Sequence, residues 1–353
     1  MGYRYKHFIG WWFNFKVIKM KAYIKSISYY LPEKKLTNEE LVKEFPEWSV
    51  EKVANKVGIN QRHISAIDET ASDMAEKAAK TLFQEFSINP KSVDFILFCT
   101  QSPDYFLPTT ACLLQNKLGI PTSAGALDFN LGCSGYVYGL SLAKGLIYAG
   151  VAKNILFLTA ESYSKYIHPQ DKGNRSIFGD GATATLISTD GFAEIGDFIL
   201  GTDGKGANNL IVRTGGSRQP DAINTLNSDE GGYFLSPDYL YMNGSEIFNF
   251  TLEAVPLLVN STLLKNGLEL SDINLFIFHQ ANKFMLNTLR KICSISKEAF
   301  YIDMEDIGNT VSSTIPIALA RAKNKNLLQD KFNILIAGFG VGYSWGGCVL
   351  ISC

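Results

Sequence analysis

Asp128–Leu140 reads DFNLGCSGYVYGL. The stretch leaves the apolar AGALDFN, turns through glycines and enters an apolar run with helical spacing. It sets Cys133 on the turn, at the head of that helix. A structural cysteine is usually buried inside an element, where it behaves as a small hydrophobe. A cysteine at a helix N-terminus sits in the positive end of the helix dipole, which lowers its pKa and favours the nucleophilic thiolate. What decides between these readings is whether the rest of the chain supplies what such a thiolate needs.

Outward from this stretch, short apolar runs alternate with longer amphipathic ones, the pattern of an α/β fold. Strands are expected at 23–31, 93–100, 154–162, 183–188, 275–280 and 333–340, the last opening a terminal hairpin that runs to 352. Helical periodicity marks 71–86, 109–118, 138–150, 246–264 and 283–293. A weak internal echo runs through the chain. Strands ending in CTQS and TAES in the first half are matched later by IFHQAN and IAGFG. Each places polar residues at the end of a buried strand, where open α/β sheets carry their sites. No Pro-, Gly- or Ser-rich linker separates the halves, so they are expected to pack as one body, with 201–238 a long surface loop.

Composition narrows the function classes. Of 353 residues, 46% are hydrophobic and 19% charged, enough apolar surface for a large core. With 33 basic against 34 acidic residues there is no basic stripe for nucleic acid and no acidic tail. The six cysteines, Cys99, Cys112, Cys133, Cys293, Cys348 and Cys353, form no CxxC pair and no zinc or disulfide spacing. They read as reduced thiols in a cytoplasmic protein, five of them inert packing. Residues 1–19 are aromatic and basic, and their apolar stretch FIGWWF is too short for a membrane span. They are read as a tail outside the fold, with Met20 opening the first strand.

Of the four histidines, His7 lies in the tail, and His63 and His168 lie in polar loops. His279 differs, because it ends the buried strand NLFIF and begins HQANKF. Alone it reads as a structural histidine; beside a candidate thiolate it reads as a partner. Asn309 stands on a Gly-Asn turn before a helix containing Pro316. Helix capping by Asn309 or Thr310 is one reading; an amide aimed into a pocket as a fixed donor is the other. The run GFGVGYSWGG (338–347) is followed by strand-like sequence, so it lacks the helix N-terminus of a dinucleotide site. Its glycines instead suit close approach of backbone N–H groups to a ligand, as in an oxyanion hole. FGDGATATL from Phe178 reads as a structural turn, and Asp303, Glu305 and Asp306 as solvated surface without metal-ligand spacing.

GCSG around Cys133, FGDGA, HQAN from His279, GNT around Asn309 and the terminal GFGVGYSWG occur in that order. Together they resemble the β-ketoacyl-acyl-carrier-protein synthase III family of the thiolase fold. The resemblance runs from about Met20 to the C-terminus and includes YLPEKKLTNEEL and VGINQRHI. It implies two similar αβ halves, 20–190 carrying the cysteine and 191–353 carrying the histidine and asparagine, in a five-layered αβαβα arrangement and a homodimer. Cys133 would attack an acyl thioester and hold the acyl group. His279 and Asn309 would donate hydrogen bonds to the thioester oxygen of a malonyl group on acyl-carrier protein as it loses carbon dioxide. The resulting carbanion would attack the acyl-cysteine and yield a 3-oxoacyl product. Backbone N–H groups of Cys133 and Val341 would form the oxyanion hole. Leu107, where the family puts a dimer-crossing residue that limits acyl length, would contact substrate together with Phe248, Asn282, Phe339, Lys56 and Lys172. Acyl-CoA or acyl-carrier-protein thioesters would be the only substrates required, with no metal or other cofactor.

Chemistry agrees: thioester exchange needs a nucleophile that is also a tolerable leaving group, which a thiolate is. Asn309 in place of a second histidine disfavours the chain-elongating relatives, since no histidine follows His279. Four positions depart from the family pattern. HQANKF has Phe284 where arginine is common, Lys56 replaces an arginine expected around the adenine of CoA, and Lys172 replaces the arginine of the usual DRG. Asn249 replaces a lysine. Lysine lacks the planar fork that grips phosphate, and Phe or Asn lacks charge altogether. The expectation is a condensing enzyme with a non-acetyl or longer acyl donor in a specialised pathway. The alternatives are transfer of the Cys133-bound acyl group to a hydroxyl or amine without condensation, and a non-catalytic protein retaining the fold.

Overall fold

A computed structural model of the chain describes residues 20–228, 234–328 and 331–353. The tail expected at 1–19 lies outside the described residues. Among the described residues nine strands form the main sheet: β1 (Tyr23–Tyr30), β2 (Phe95–Cys99), β3 (Gly125–Phe129), β4 (Asn154–Glu161), β5 (Gly181–Ser188), β6 (Ala193–Thr202), β7 (Leu275–Phe278), β8 (Asn333–Gly340) and β9 (Ser344–Ser352). Their spatial order is β3-β2-β4-β5-β1-β6-β9-β8-β7. β2 runs parallel to β3 and β4, and β7 to β8, while the other neighbours are antiparallel. The β1–β6 seam is only two pairs long, Tyr23↔Glu194 and Ile24↔Ala193. Outward from it the chain order repeats on both sides: first strand, last strand, the one before it, then the second.

Parallel strands buried on both faces need apolar residues at every position, and alternate residues show why. In β2, Ile96 and Phe98 belong to one apolar cluster with Ala75, Ala79 and Leu82 of the Ala71–Glu85 helix. Leu97 and Cys99 face the other way, toward Tyr136 and Leu140 of the Gly135–Tyr148 helix. In β8, Ile334 and Ile336 join this inner cluster with Ile315 and Leu319 of the Thr314–Asn324 helix. Leu335, Ala337 and Phe339 turn outward to Val255, Leu258 and Val259 of the Gly244–Lys265 helix. Helix, sheet, paired helices, sheet, helix is therefore a five-layered stack. A helix in the middle layer touches apolar partners on several sides, so the helices at 135 and 314 carry few charges. The Gly244–Lys265 helix is long and apolar enough by composition to cross a membrane, yet its inner face packs on β8 and β9.

The expected strands, the terminal hairpin and the five helices are all present. β3 and β6 were not foreseen. β3 is short and partly exposed, and β6 is interrupted by Gly196 and Asp197 and buried on one face only. Short helices at Asn38–Glu44 and Val50–Val57 also escaped the periodicity; they begin at Thr37 and Ser49, whose side chains accept from Glu40 and Lys52 N–H groups. The segment 201–238 is not all loop: β6 extends to Thr202, and Leu210–Ile211 pairs with Tyr241–Met242. Two further expectations are corrected. Cys112 and Cys353 are exposed rather than packed. Asp303 is buried and Asp306 is gripped by both terminal nitrogens of Arg321 at 2.7 and 3.1 Å, so the acidic cluster is an ion-paired network. His63 is buried in a short strand, with Nδ1 against the Pro32 carbonyl.

Candidate active site

The polar ends of β2, β4, β7 and β8 and the turn 309–313 meet at one place. Cys133 arrives there on the turn after β3, one residue before Ser134 begins the Gly135–Tyr148 helix. Ser134 gives that helix no side-chain cap, because its hydroxyl is 2.7 Å from Ser344 Oγ at the start of β9. The end of β8 runs directly behind the cysteine. A Cβ at Gly340 would sit 2.8 Å from both Cβ and Sγ of Cys133, and one at Gly338 would sit 2.7 Å from its carbonyl oxygen. Only glycine permits this approach.

It has an electrostatic consequence. The two backbone N–H groups turned to Sγ are those of Val341 and of Cys133 itself. The thiol is buried, and burial pushes it up to about 12, outweighing those two hydrogen bonds. The helix terminus had suggested the reverse, a thiol poised to ionise. Its contribution is of order 1 kcal/mol, too small against removal of a thiolate from water. The resting group is therefore the thiol.

His279 follows β7 and is 2% exposed, its N–H donating to the Ala337 carbonyl of β8 at 2.8 Å. Burial holds its ring neutral down to about 3. Nδ1 lies 2.7 Å from Thr314 Oγ1, and that hydroxyl is 3.1 Å from the Val311 carbonyl. Asn309 is 4% exposed and caps no helix: its Oδ1 accepts the Val311 N–H at 2.9 Å. Among the described residues no acceptor takes its Nδ2. The FGDGA turn holds Asn309 in place, since Asn309 N–H donates to Ile177 and its carbonyl accepts from Gly179 at 3.0 Å. Asp180 in turn accepts from the backbone N–H groups of Ser65 and Ser164. Between Asn309 and Thr314, Val311 has φ +55°, a conformation costly for a β-branched residue. It turns one carbonyl toward His279 and one N–H toward Asn309. Nothing in its residue type signals this, and neither Val311 nor Thr314 was singled out from the sequence.

A cavity of about 740 Å³ approaches this cluster through Ile177 and Asn282, although Cys133, His279 and Asn309 do not line it. Lys56, Phe248 and Asn282 line it, as expected of substrate contacts, together with Ile177, whose carbonyl binds Asn309. The Phe248 ring meets that of Phe284 in a tilted contact at 5.5 Å, and Phe284 is 63% exposed. Phe339 is buried behind the site, its ring edge-on to His279 at 6.0 Å. Lys172 is not among the lining residues; it lies over the Trp48 ring and 2.6 Å from Glu47. Leu107 is not brought to the site of its own chain: it is 84% exposed, beside exposed Tyr105 and Phe106.

This is the architecture of the thiolase-like enzymes, with a cysteine, a histidine and an asparagine gathered at strand ends. The C-terminal part, residues 263–351, matches the family described as 3-oxoacyl-[acyl-carrier-protein] synthase III C terminal, and 127–204 matches 3-oxoacyl-[acyl-carrier-protein] synthase III. The chain is 34% identical over 337 residues to the β-ketoacyl-[acyl-carrier-protein] synthase III of Caldanaerobacter subterraneus subsp. tengcongensis, covering 94% of this chain and 98% of that one. A crystal structure of a 3-oxoacyl-(acyl-carrier-protein) synthase III superposes with a TM-score of 0.92 at 49% identity, covering 94% of this chain and all of that one. The corresponding synthase from Burkholderia xenovorans gives 0.87 at 38% identity over 95% of each chain. The chain belongs to the β-ketoacyl-acyl-carrier-protein synthase III family of condensing acyltransferases.

Gly340→Ala tests the close approach. The added methyl would overlap Cys133 by its 2.8 Å contact and displace Sγ. The expected outcome is a folded protein whose Cys133 acylates about 100-fold more slowly, since misplacement by about 1 Å costs that much. Single-turnover acylation followed by intact mass checks it.

Proposed function

We propose that the chain condenses an acyl group, held as a thioester on Cys133, with malonyl-acyl-carrier protein, releasing carbon dioxide and a 3-oxoacyl-carrier protein. The observation that carries this is the cysteine sulfur facing the Val341 and Cys133 N–H groups, at the same place as His279 and Asn309. In the loading step Cys133 gives up its proton, attacks the donor carbonyl, and the donor thiol leaves carrying a proton. The two N–H groups stabilise the oxyanion. In the second step the malonyl carbon–carboxylate bond breaks, and its electron pair becomes an enolate on the thioester oxygen. Asn309 Nδ2 and His279 Nε2 donate to that oxygen. The donor role asks for the His279 ring proton on Nε2, and the Thr314 hydroxyl, which has one proton, serves this tautomer when that proton is turned from the Val311 carbonyl to Nδ1. The enolate carbon then bonds to the acyl carbonyl, and Cys133 leaves as a thiolate and regains a proton. No metal or further cofactor takes part.

The donor is proposed to be a non-acetyl or longer acyl group, in a specialised pathway. The mouth of the cavity supports this. Two cations near it are committed to carboxylates, Lys172 to Glu47 at 2.6 Å and Arg175 to both oxygens of Glu44 at 2.6 and 3.0 Å, which leaves Lys56 as the lining residue able to meet a phosphate. The lining otherwise offers the Phe248–Phe284 pair. A homodimer formed by a second copy is proposed as well, since the Tyr105–Leu107 loop is exposed and β3 is an unpaired sheet edge. The unbridged cysteines suit a cytoplasmic setting. The two halves are taken as 20–190 and 191–353.

The test is intact-protein mass after incubation with a panel of acyl-CoAs and acyl-carrier proteins. The expected adduct forms fastest from a longer acyl group or a carrier-bound one. Fastest loading from acetyl-CoA would overturn the donor assignment. Release of carbon dioxide with malonyl-carrier protein separates condensation from simple acyl transfer.

A further inference from the structure

Glu161 ends β4 with no exposed surface, and no cation pairs with it among the described residues. Its carboxyl is nevertheless fully engaged. Oε2 accepts from the Gln101 N–H at 3.0 Å and the Ser102 hydroxyl at 3.2 Å, both on the loop after β2. Oε1 lies 2.8 Å from the hydroxyl of Ser312. Ser312 belongs to the turn that carries Asn309 and Val311, and a Cβ at Gly135, two residues past the cysteine, would lie 3.7 Å from Ser312 Cβ. Gln101 reaches back to the same loop: its Oε1 would be 2.6 Å from a Cβ at Gly132. Glu161 thus ties the first half's loops to the turn of the second.

We infer that Glu161 is a positioning residue of this site: through Ser312 it holds the Asn309–Thr314 turn against the loops bearing Cys133, and its charge opposes ionisation of the Cys133 thiol. This rests on the function proposed above for its catalytic part only. The titratable groups facing Glu161 are Cys99 at the end of β2, Cys133, Tyr163 and Tyr166 on the turn after β4, and Asp180 of the FGDGA turn. All are neutral or acidic, so none relieves a negative charge there. Burial accordingly pushes the Glu161 carboxyl up to about 8, with its three hydrogen bonds pulling the other way. The sign follows. Below that pH the carboxyl is neutral and Cys133 ionises against burial alone; above it the anion adds repulsion and disfavours the thiolate. A glutamine at 161 keeps an oxygen for the Gln101 N–H and turns its amide to Ser312 as donor, so the hydrogen bonds survive while the titration does not.

The experiment measures iodoacetamide alkylation of Cys133, read at its own peptide by mass spectrometry from pH 6 to 10, in wild type and Glu161→Gln. Acyl loading and condensation are followed in parallel in wild type and Ser312→Ala. Expected is alkylation about tenfold faster in Glu161→Gln at pH 9, the size of one unscreened like charge nearby, and no difference at pH 6. Ser312→Ala is expected to load acyl groups at the wild-type rate and to condense about tenfold more slowly, since the turn and not the nucleophile is loosened. Alkylation profiles that superpose at every pH, or Ser312→Ala condensing at the wild-type rate, would overturn the inference. Wild type that neither loads nor condenses would overturn the proposed function instead, while the alkylation arm still decides the role of Glu161.

Discussion

Cys133→Ala is expected to abolish the acyl adduct with every donor and to lower condensation by about 10⁴-fold or more, the range seen when a covalent nucleophile is removed from its set. The fold should survive. Cys133 is small, and the loss of one sulfur against Gly340 leaves room that a neighbouring backbone N–H already faces. Residual decarboxylation of malonyl-carrier protein, without condensation, is the informative remainder, because His279 and Asn309 still face the substrate. Intact mass and carbon dioxide release distinguish these outcomes. An adduct that persists in Cys133→Ala would mean that another thiol is acylated. Exposed Cys112 and Cys353 are the ones to inspect.

His279→Ala and Asn309→Ala are expected to lower the condensation rate by about 100- to 1000-fold each, or about 2.7–4 kcal/mol of lost oxyanion stabilisation. Loading of Cys133 should change little, so the split between the two half-reactions identifies their role. Asn309 needs a second control. Its Oδ1 holds the Val311 N–H at 2.9 Å, in a turn where Val311 has φ +55°. Asn309→Asp keeps that acceptor and removes the Nδ2 donor, so it should condense as poorly as Asn309→Ala while melting closer to wild type. The histidine carries a pH prediction. Its ordinary titration near 6.5 is moved down to about 3 by burial, so the neutral ring persists across pH 5–8. The condensation rate should show no acid limb near 6.5. A limb there that disappears in His279→Ala would show a ring more hydrated than its burial implies.

Much of this site was legible in one dimension. Cys133, His279 and Asn309 each stand at a strand end or a glycine turn, where an apolar run stops and a polar residue has nowhere to hide. Glu161 stood in the same position, in TAES, yet a lone carboxylate at a strand end carries no signal until its partners are known. Ser312 and Thr314 read as ordinary residues of a helix start; they matter because of which atoms lie 2.7–2.8 Å away. Leu107 is a different case: the resemblance places it at a dimer-crossing position, and its own chain leaves it on the surface, where a second copy could take it.

The order of apolar runs, their lengths and the residues that interrupt them determined the α/β class and most of the strands, while the resemblance carried by five short motifs singled out the three chemical groups. The class and the strands are local properties, set by alternation, by 3.6-residue periodicity and by where glycine or a cap must fall. The tertiary structure alone decided the ionisation state of the site. A helix terminus seen in isolation lowers a thiol pKa, but β8 and its glycines bury Cys133 and push it to about 12. Desolvation depends on everything packed around a group, and the glycines that press on Cys133 from β8, Gly338 and Gly340, lie more than 200 positions further along the chain.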